Sequence, residues 1–120
     1  MKRRIVNYNQ FDVVRVPFPF TERESSKNRP ALVISSAKLF NGSSGHSVMA
    51  MITTATHSPW PLDCLIKDIA GAGLPTESIV RFKLFTLDHR LVRGRLGKLS
   101  GPDAENVRQN LAELTGLQTI

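Results

Sequence analysis

The sequence predicts a mainly-β (α+β) fold: a small, strongly bent sheet or half-open barrel closed by one C-terminal helix. Short β-branched and apolar runs recur along most of the chain, each bounded by Pro, Gly or polar residues. A helix signature with a start, a stripe and a stop stands at the end. No linker, internal repeat or low-complexity tract intervenes, so residues 1–120 read as one domain.

The first predicted strand is Phe11 to Phe18, where Val13, Val14 and Val16 sit among Asp12 and Arg15. Pro17 and Pro19 limit its pairing, because proline has no N–H to give. Thr21 to Asn28 is polar and charged and reads as a loop. Pro30 to Ser36 is a short apolar run, as expected of a buried strand. Asn41 to Gly45 is a turn or loose loop. Val48 to Thr53 is a further apolar strand, followed by a segment from Thr54 to Pro61 in which Pro59 and Pro61 flank Trp60. Leu62 to Ile66 reads as a strand, and Ala70 to Leu74 as a turn built on Gly71 and Gly73. From Ser78 to Leu84, Ile79, Arg81 and Lys83 alternate with Val80, Phe82 and Leu84, so the two sets face opposite ways. Leu87 to Gly97 is basic and fits a helical turn or a strand, with Gly94 and Gly97 opposing a long helix. Pro102 suits the first turn of the last helix, and Asp103 and Glu105 suit the positive end of its dipole. Ala104, Val107, Leu111 and Leu114 recur at helical spacing, and Gly116 is a natural stop.

Composition narrows the function. With 120 residues and 41% apolar content, the chain buries roughly 65% of its unfolded surface and needs no staples. Cys64 is the single cysteine, so there is no internal disulfide, which fits a reducing, cytoplasmic setting. The basic start Met1-Lys2-Arg3-Arg4 is not followed by a long apolar run, and no run is long enough to span a membrane. The net charge is +6 and the sequence pI about 10.1, which favours a polyanionic partner such as nucleic acid or an acidic protein. From Arg81 to Lys98 six cations meet only Asp88, so about +5 of charge gathers there.

Several chemistries are missing. There is no phosphate-binding Gly-rich loop, no Cys-x-x-Cys pair, no His-Glu-x-x-His, and no carboxylate cluster of the kind that holds Mg²⁺ in nucleases. No cofactor or metal is therefore expected, and nucleic-acid chemistry would have to run on side chains. RNA permits this, because its 2′-hydroxyl is a built-in nucleophile. The protein must align that oxygen, move protons and stabilise charge on the phosphorane. A planar guanidinium suits the last task.

Three segments stand out together: Phe11-Asp12-Val13-Val14-Arg15-Val16-Pro17-Phe18-Pro19-Phe20-Thr21, then Ser25-Ser26-Lys27-Asn28-Arg29-Pro30-Ala31-Leu32-Val33-Ile34-Ser35, then Met49-Ala50-Met51-Ile52-Thr53-Thr54. In this order and spacing they resemble the MazF/PemK family of toxin ribonucleases, over roughly residues 10 to 115. One departure is Phe11, where the family often has glycine, which should alter a strand start and leave the site untouched. The resemblance implies an SH3-like barrel of about five to seven strands with a C-terminal helix, and usually a homodimer. It implies a sequence-selective, metal-independent endoribonuclease acting on single-stranded RNA, with cyclic-phosphate and 5′-hydroxyl products. It also implies a cognate MazE/PemI-like antitoxin whose acidic tail lies across the RNA groove. The catalytic pair it implies is Arg29 and Thr53.

Each residue has a plainer alternative. Arg29 could form a surface salt bridge with Glu22 or Glu24. It stays charged at any working pH, so it serves better as a charge stabiliser than as a base. Thr53 could simply end a strand, with Thr54 as its neighbour and understudy. His57 could assist the chemistry, stack on a base, or have no role. His46 reads as a solvent-exposed loop residue, and His89 as a possible phosphate contact. Arg81 and Lys83 suit either a phosphate track or an ordinary solvated face. Ser25, Ser26 and Lys27 belong to a polar flap expected over the groove, with Lys27 a phosphate contact. Trp60 reads as a core or interface plug or, alternatively, a base-stacking platform; Phe18 and Phe20 read as packing residues. Two competing functions stand beside the ribonuclease: a gyrase-type poison of a protein target, and a catalytically silent nucleic-acid-binding module on the same fold.

Overall fold

The structure is a computed structural model that describes residues 7–19 and 27–117. Its six strands are β1 (Asp12–Phe18), β2 (Lys27–Val33), β3 (His46–Thr54), β4 (Cys64–Leu65), β5 (Ser78–Asp88) and β6 (Arg95–Lys98), followed by a helix over Gly101–Thr115. The strands form one antiparallel sheet in the order β4-β5-β3-β2-β1-β6. The sheet curls into a half-barrel, and the C-terminal helix packs against β4 at one end of the strand order. This is the mainly-β barrel with a terminal helix that the sequence predicts.

Both sheet faces are covered, which explains why the central strands read as near-continuous apolar runs. The larger core joins Val13, Leu32, Ala50, Ile52, Val80 and Phe82 to Leu99, Ala104 and Val107 of the helical segment. A second cluster on the alternate residues joins Tyr8, Val14, Val16, Ala31, Val33, Met49 and Leu87. A register shift between Ala50 and Met51, opposite the β5 stretch between Arg81 and Leu84, bends the central pair.

Several expectations shift. β2 begins at Lys27 and ends at Val33, three residues earlier at each end than hydropathy suggests, because pairing with β1 (Val16↔Arg29, Phe18↔Lys27) decides its span. The segment after it is a π-helical turn over Ala37–Asn41, on most of which the sequence is silent, leading into a helical turn over Gly42–Ser44 within the expected turn or loose loop Asn41 to Gly45. Buried Asn41 fixes it, donating to the Tyr8 carbonyl at 2.8 Å and the Ser35 carbonyl at 3.1 Å. The strand expected over Leu62 to Ile66 shrinks to two residues, and β5 runs on to Asp88. Leu114 stands 42% exposed, so the helix buries a shorter stripe than its spacing suggests.

The helix boundaries follow the sequence. Ser100 caps the start, its hydroxyl accepting from Asp103 N–H, and Gly116 closes the end in the left-handed conformation. Asp103 does more than favour the dipole: its buried carboxylate accepts from the Lys67 and Asp68 N–H groups at 2.9–3.1 Å and docks the helix on the β4–β5 connection. Phe11 has a φ of 72°. That backbone favours glycine, the residue the resembled family often places there, and a side chain costs roughly 1–2 kcal/mol in it. Burial of the ring in the larger core offsets the strain.

Candidate functional site

The candidate site forms where β2 and β3 part. Their pairing runs Val33↔Met49, Leu32↔Ala50, Ala31↔Met51. Arg29 and Thr53 each lie two residues beyond the last of these pairs, where β2 and β3 no longer pair with each other. By the period of two, both lie on the sheet face of Ala31 and Met51. Arg29 is exposed, at the position where β2 still pairs with β1 through Val16. Its guanidinium has no hydrogen-bonded or ion-pair partner among the described residues. Lys27, two residues earlier, is exposed on the same strand. Phe20, Glu22, Glu24, Ser25 and Ser26, the last four of them in the expected flap, lie outside the described residues.

Thr53 is not isolated. Its hydroxyl lies 2.8 Å from His57 Nδ1, and the Thr54 hydroxyl lies 3.0 Å from the same nitrogen. With the ring proton on Nε2, Nδ1 accepts from a threonine hydroxyl; with the proton on Nδ1, it donates to a threonine hydroxyl oxygen instead. The turn that returns His57 is held by its N–H donating to the Thr54 carbonyl at 3.3 Å. Thr53, Thr54 and His57 thus form one polar cluster at the end of β3, with His57 exposed. This brings together three of the residues singled out from sequence.

Arg81 and Lys83 mark the neighbouring strand. Arg81 pairs in register with Met51, two residues along β3 from Thr53. Its Nε and Nη2 donate to the Asp63 carboxylate at 3.2 and 2.9 Å, and Nη2 also donates to the Ser58 carbonyl at 2.6 Å. Only 11% of the Arg81 side chain and 15% of that of Asp63 is exposed. One guanidinium therefore grips the β3–β4 loop on both sides of Trp60. Lys83 stays exposed, its ammonium 4.6 Å from the Trp60 ring centre. Trp60 itself is 43% exposed, so within this chain it is not a core plug. Phe18, read from sequence as a packing residue, is 46% exposed.

The basic stretch proves well partnered. Arg90 pairs with Asp88 at 2.8 Å and Arg95 with Asp12 at 3.0 Å, while Arg93 donates to Asn28 Oδ1 at 2.8 Å. His89 Nε2 lies 2.7 Å from the Ser47 hydroxyl and its ring packs edge-on to Tyr8, so it is engaged in packing. His46 is half-buried, with Nδ1 2.9 Å from the Ser44 carbonyl, where the sequence suggests free exposure. Among the described residues no three His, Cys, Asp or Glu side chains gather as a metal centre would require. No described helix is long and apolar enough to cross a membrane.

Sequence reasoning passes over Asp63, which organises the loop. A signal does exist: Asp three residues after a Trp held between prolines suits a side chain that closes its own turn. Its carboxylate accepts from Trp60 N–H at 3.0 Å. Burial opposes ionisation of Asp63, but the hydrogen bonds from Arg81 and the Trp60 N–H outweigh it and hold the carboxyl below its ordinary range. At Asp88 the hydrogen bonds from Arg90 act in the same direction. A lowered folded value means stability that is fully present above the unfolded pKa, about 4, and lost as pH falls through the folded value. The thermal midpoint should therefore fall on acidification below about pH 4. Asp63→Asn should lower stability at neutral pH by about 2 kcal/mol and make that acid limb shallower. Unfolding monitored from pH 2 to pH 7 checks both.

Solved structures share this architecture. The chain superposes on a MazE–MazF complex structure from Deinococcus radiodurans with a TM-score of 0.74 at 22% identity, covering 94% of this chain and 100% of that one. An endoribonuclease from a Mycobacterial species gives a TM-score of 0.74 at 17% identity, covering 98% and 100%. An endoribonuclease in complex with its cognate antitoxin, also Mycobacterial, gives 0.71 at 18%, covering 94% and 99%. Identities this low establish the MazF-type fold. No curated protein matches the sequence. The family follows from the sequence itself: residues 9–115 match the model of the PemK-like, MazF-like toxins of type II toxin–antitoxin systems, and the chain belongs to that family.

Proposed function

We propose that this toxin is a sequence-selective endoribonuclease that cuts single-stranded RNA without a metal, at a site built on Arg29 and Thr53. The observation that supports the reading is that Arg29, exposed on β2, and Thr53 on β3 each lie two residues beyond the last β2–β3 pair, Ala31↔Met51. Membership of the toxin family and the likeness to solved endoribonucleases support it. In this mechanism the RNA 2′-hydroxyl loses its proton and attacks the adjacent phosphorus. The P–O5′ bond breaks and O5′ takes up a proton, leaving a 2′,3′-cyclic phosphate and a 5′-hydroxyl. Arg29 stabilises the charge that builds on the non-bridging oxygens. The Thr53 hydroxyl donates to the same oxygens while its own oxygen accepts from His57 Nδ1–H, the tautomer that leaves the hydroxyl hydrogen free. Lys27 and Lys83, with Ser25 and Ser26 from the flap, contact the substrate backbone. Arg81 contributes by holding the loop beside the groove.

The working form is a cytoplasmic homodimer, restrained by an acidic-tailed MazE/PemI-like antitoxin. Structures of related toxins with antitoxins bound support such a partner. RNA in which the ribose at a mapped cut is replaced by 2′-deoxyribose tests the reaction. Cleavage should vanish at that position alone, and product ends on the unmodified RNA should be cyclic phosphate and 5′-hydroxyl. Cutting at the deoxy position, or 5′-phosphate ends, would refute the scheme. Thr53→Val should slow cleavage about tenfold or more through loss of one hydrogen bond to the transition state, read in single turnovers.

A further inference from the structure

Trp60 is the single tryptophan of the chain, and the fold holds it out rather than in. Burying an indole is one of the larger gains available to a domain this small. Here the segment Pro59-Trp60-Pro61 is stiffened by two prolines. Asp63 closes the turn, accepting from Trp60 N–H at 3.0 Å while its own N–H donates to the Trp60 carbonyl at 3.2 Å. Arg81 ties Asp63 and the Ser58 carbonyl to strand β5. The indole is thus presented on a pre-organised mount, which lowers the ordering cost of binding. Two cations flank it: Lys83 Nζ at 4.6 Å and Arg81 Cζ at 5.9 Å from the ring centre. An apolar protein surface laid on this ring would desolvate the Lys83 ammonium without pairing it. A nucleotide satisfies both groups, with its base on the indole and its phosphate on the ammonium. The mount is anchored opposite Met51, two residues from Thr53 on the same strand.

We propose that Trp60 is a stacking platform for one unpaired nucleobase of the bound RNA, with Lys83 taking the adjacent phosphate. The platform rests on the ribonuclease reading and adds to it a subsite that selects by base stacking, beside the cleavage residues.

Because no other tryptophan is present, intrinsic emission reports on Trp60 directly. The probe is a fully 2′-O-methylated single strand carrying the cleaved sequence, which binds but has no nucleophile. Its binding is followed separately by anisotropy of a 5′ label. Tryptophan emission should be quenched in step with anisotropy, and a strand of the same length abasic at the stacked position should bind with little quenching. Trp60→Leu, at a surface position, should keep its thermal midpoint and bind about tenfold or more weakly. Lys83→Gln should lower the slope of log affinity against log salt by about 0.7. Binding without quenching, equal quenching by the abasic strand, or undiminished binding by Trp60→Leu would overturn the platform and leave the ribonuclease reading standing. Emission that changes with protein concentration alone would instead put a second copy on the ring and overturn it. Absence of any binding by anisotropy would overturn both readings.

Discussion

Arg29→Ala should lower the single-turnover rate of RNA cleavage by about 100- to 1000-fold, the loss expected when one transition-state charge stabiliser is removed. The fold should be unaffected, because Arg29 is exposed and its backbone pairing with Val16 needs no side chain. Apparent substrate affinity should change far less than rate, since the guanidinium matters most when the phosphorane gathers charge. Arg29→Lys restores a charge but not the planar fork, so it should recover only part of the rate. Circular dichroism and thermal midpoint on the same preparations separate a lost chemical group from a lost fold. An Arg29→Ala protein that is folded and cuts at the wild-type rate would remove Arg29 from the site.

Gly97→Ala should destabilise the protein by about 3 kcal/mol, the upper part of the range for overpacking. A Cβ at Gly97 would lie 2.4 Å from the Gly71 carbonyl oxygen and 2.6 Å from the Ala72 carbonyl carbon, so backbone rather than a flexible side chain would have to move. The same crossing is tight from the other side: a Cβ at Gly73 would lie 2.1 Å from the Leu96 carbonyl oxygen, at a φ of 72°. Here β6 rides directly on the turn before β5, and Lys98 N–H donates to the Gly71 carbonyl at 3.1 Å. This crossing helps draw the two ends of the half-barrel toward each other. Gly101→Ala is the matched control, with open space around its Cβ and a helical position where alanine is favoured. Urea unfolding of the two variants should show a large drop in midpoint for the first and a change within about 0.5 kcal/mol for the second.

Much of this architecture is legible in the sequence because local chemistry and tertiary structure agree. Val13, Val14 and Val16 belong to a strand by β-branching alone, and Ser100, Pro102 and Gly116 bound the helix through capping chemistry. What escapes is set by partners distant in the chain. Lys27 and Asn28 look like loop, yet they are strand because Phe18 and Pro17 lie opposite. The π-helical turn at Ala37–Asn41 has no period to announce it and depends on Asn41 reaching the Tyr8 carbonyl. The alternation in β5 breaks where the register shifts against β3, leaving Leu84 exposed. At the site, Arg29 and Thr53 are legible through the family's motifs, whereas the place where β2 and β3 stop pairing, two residues short of both, depends on tertiary structure. The Arg81–Asp63 pair spans 18 residues, and nothing at either position signals the other. Likewise the charge excess from Arg81 to Lys98 is real in sequence, but Arg81 and Arg95 meet carboxylates at Asp63 and Asp12, outside that stretch.

The central claim is that the corner holding Arg29 and Thr53 cuts RNA by side-chain chemistry alone. Incubation of the purified wild-type protein and the Arg29→Ala variant with a long single-stranded RNA in excess EDTA tests it most directly, with every cut mapped. The account predicts discrete, sequence-specific cuts by the wild type that disappear in the variant. A folded wild-type protein that leaves the RNA intact, or a variant that makes the same cuts, would contradict it.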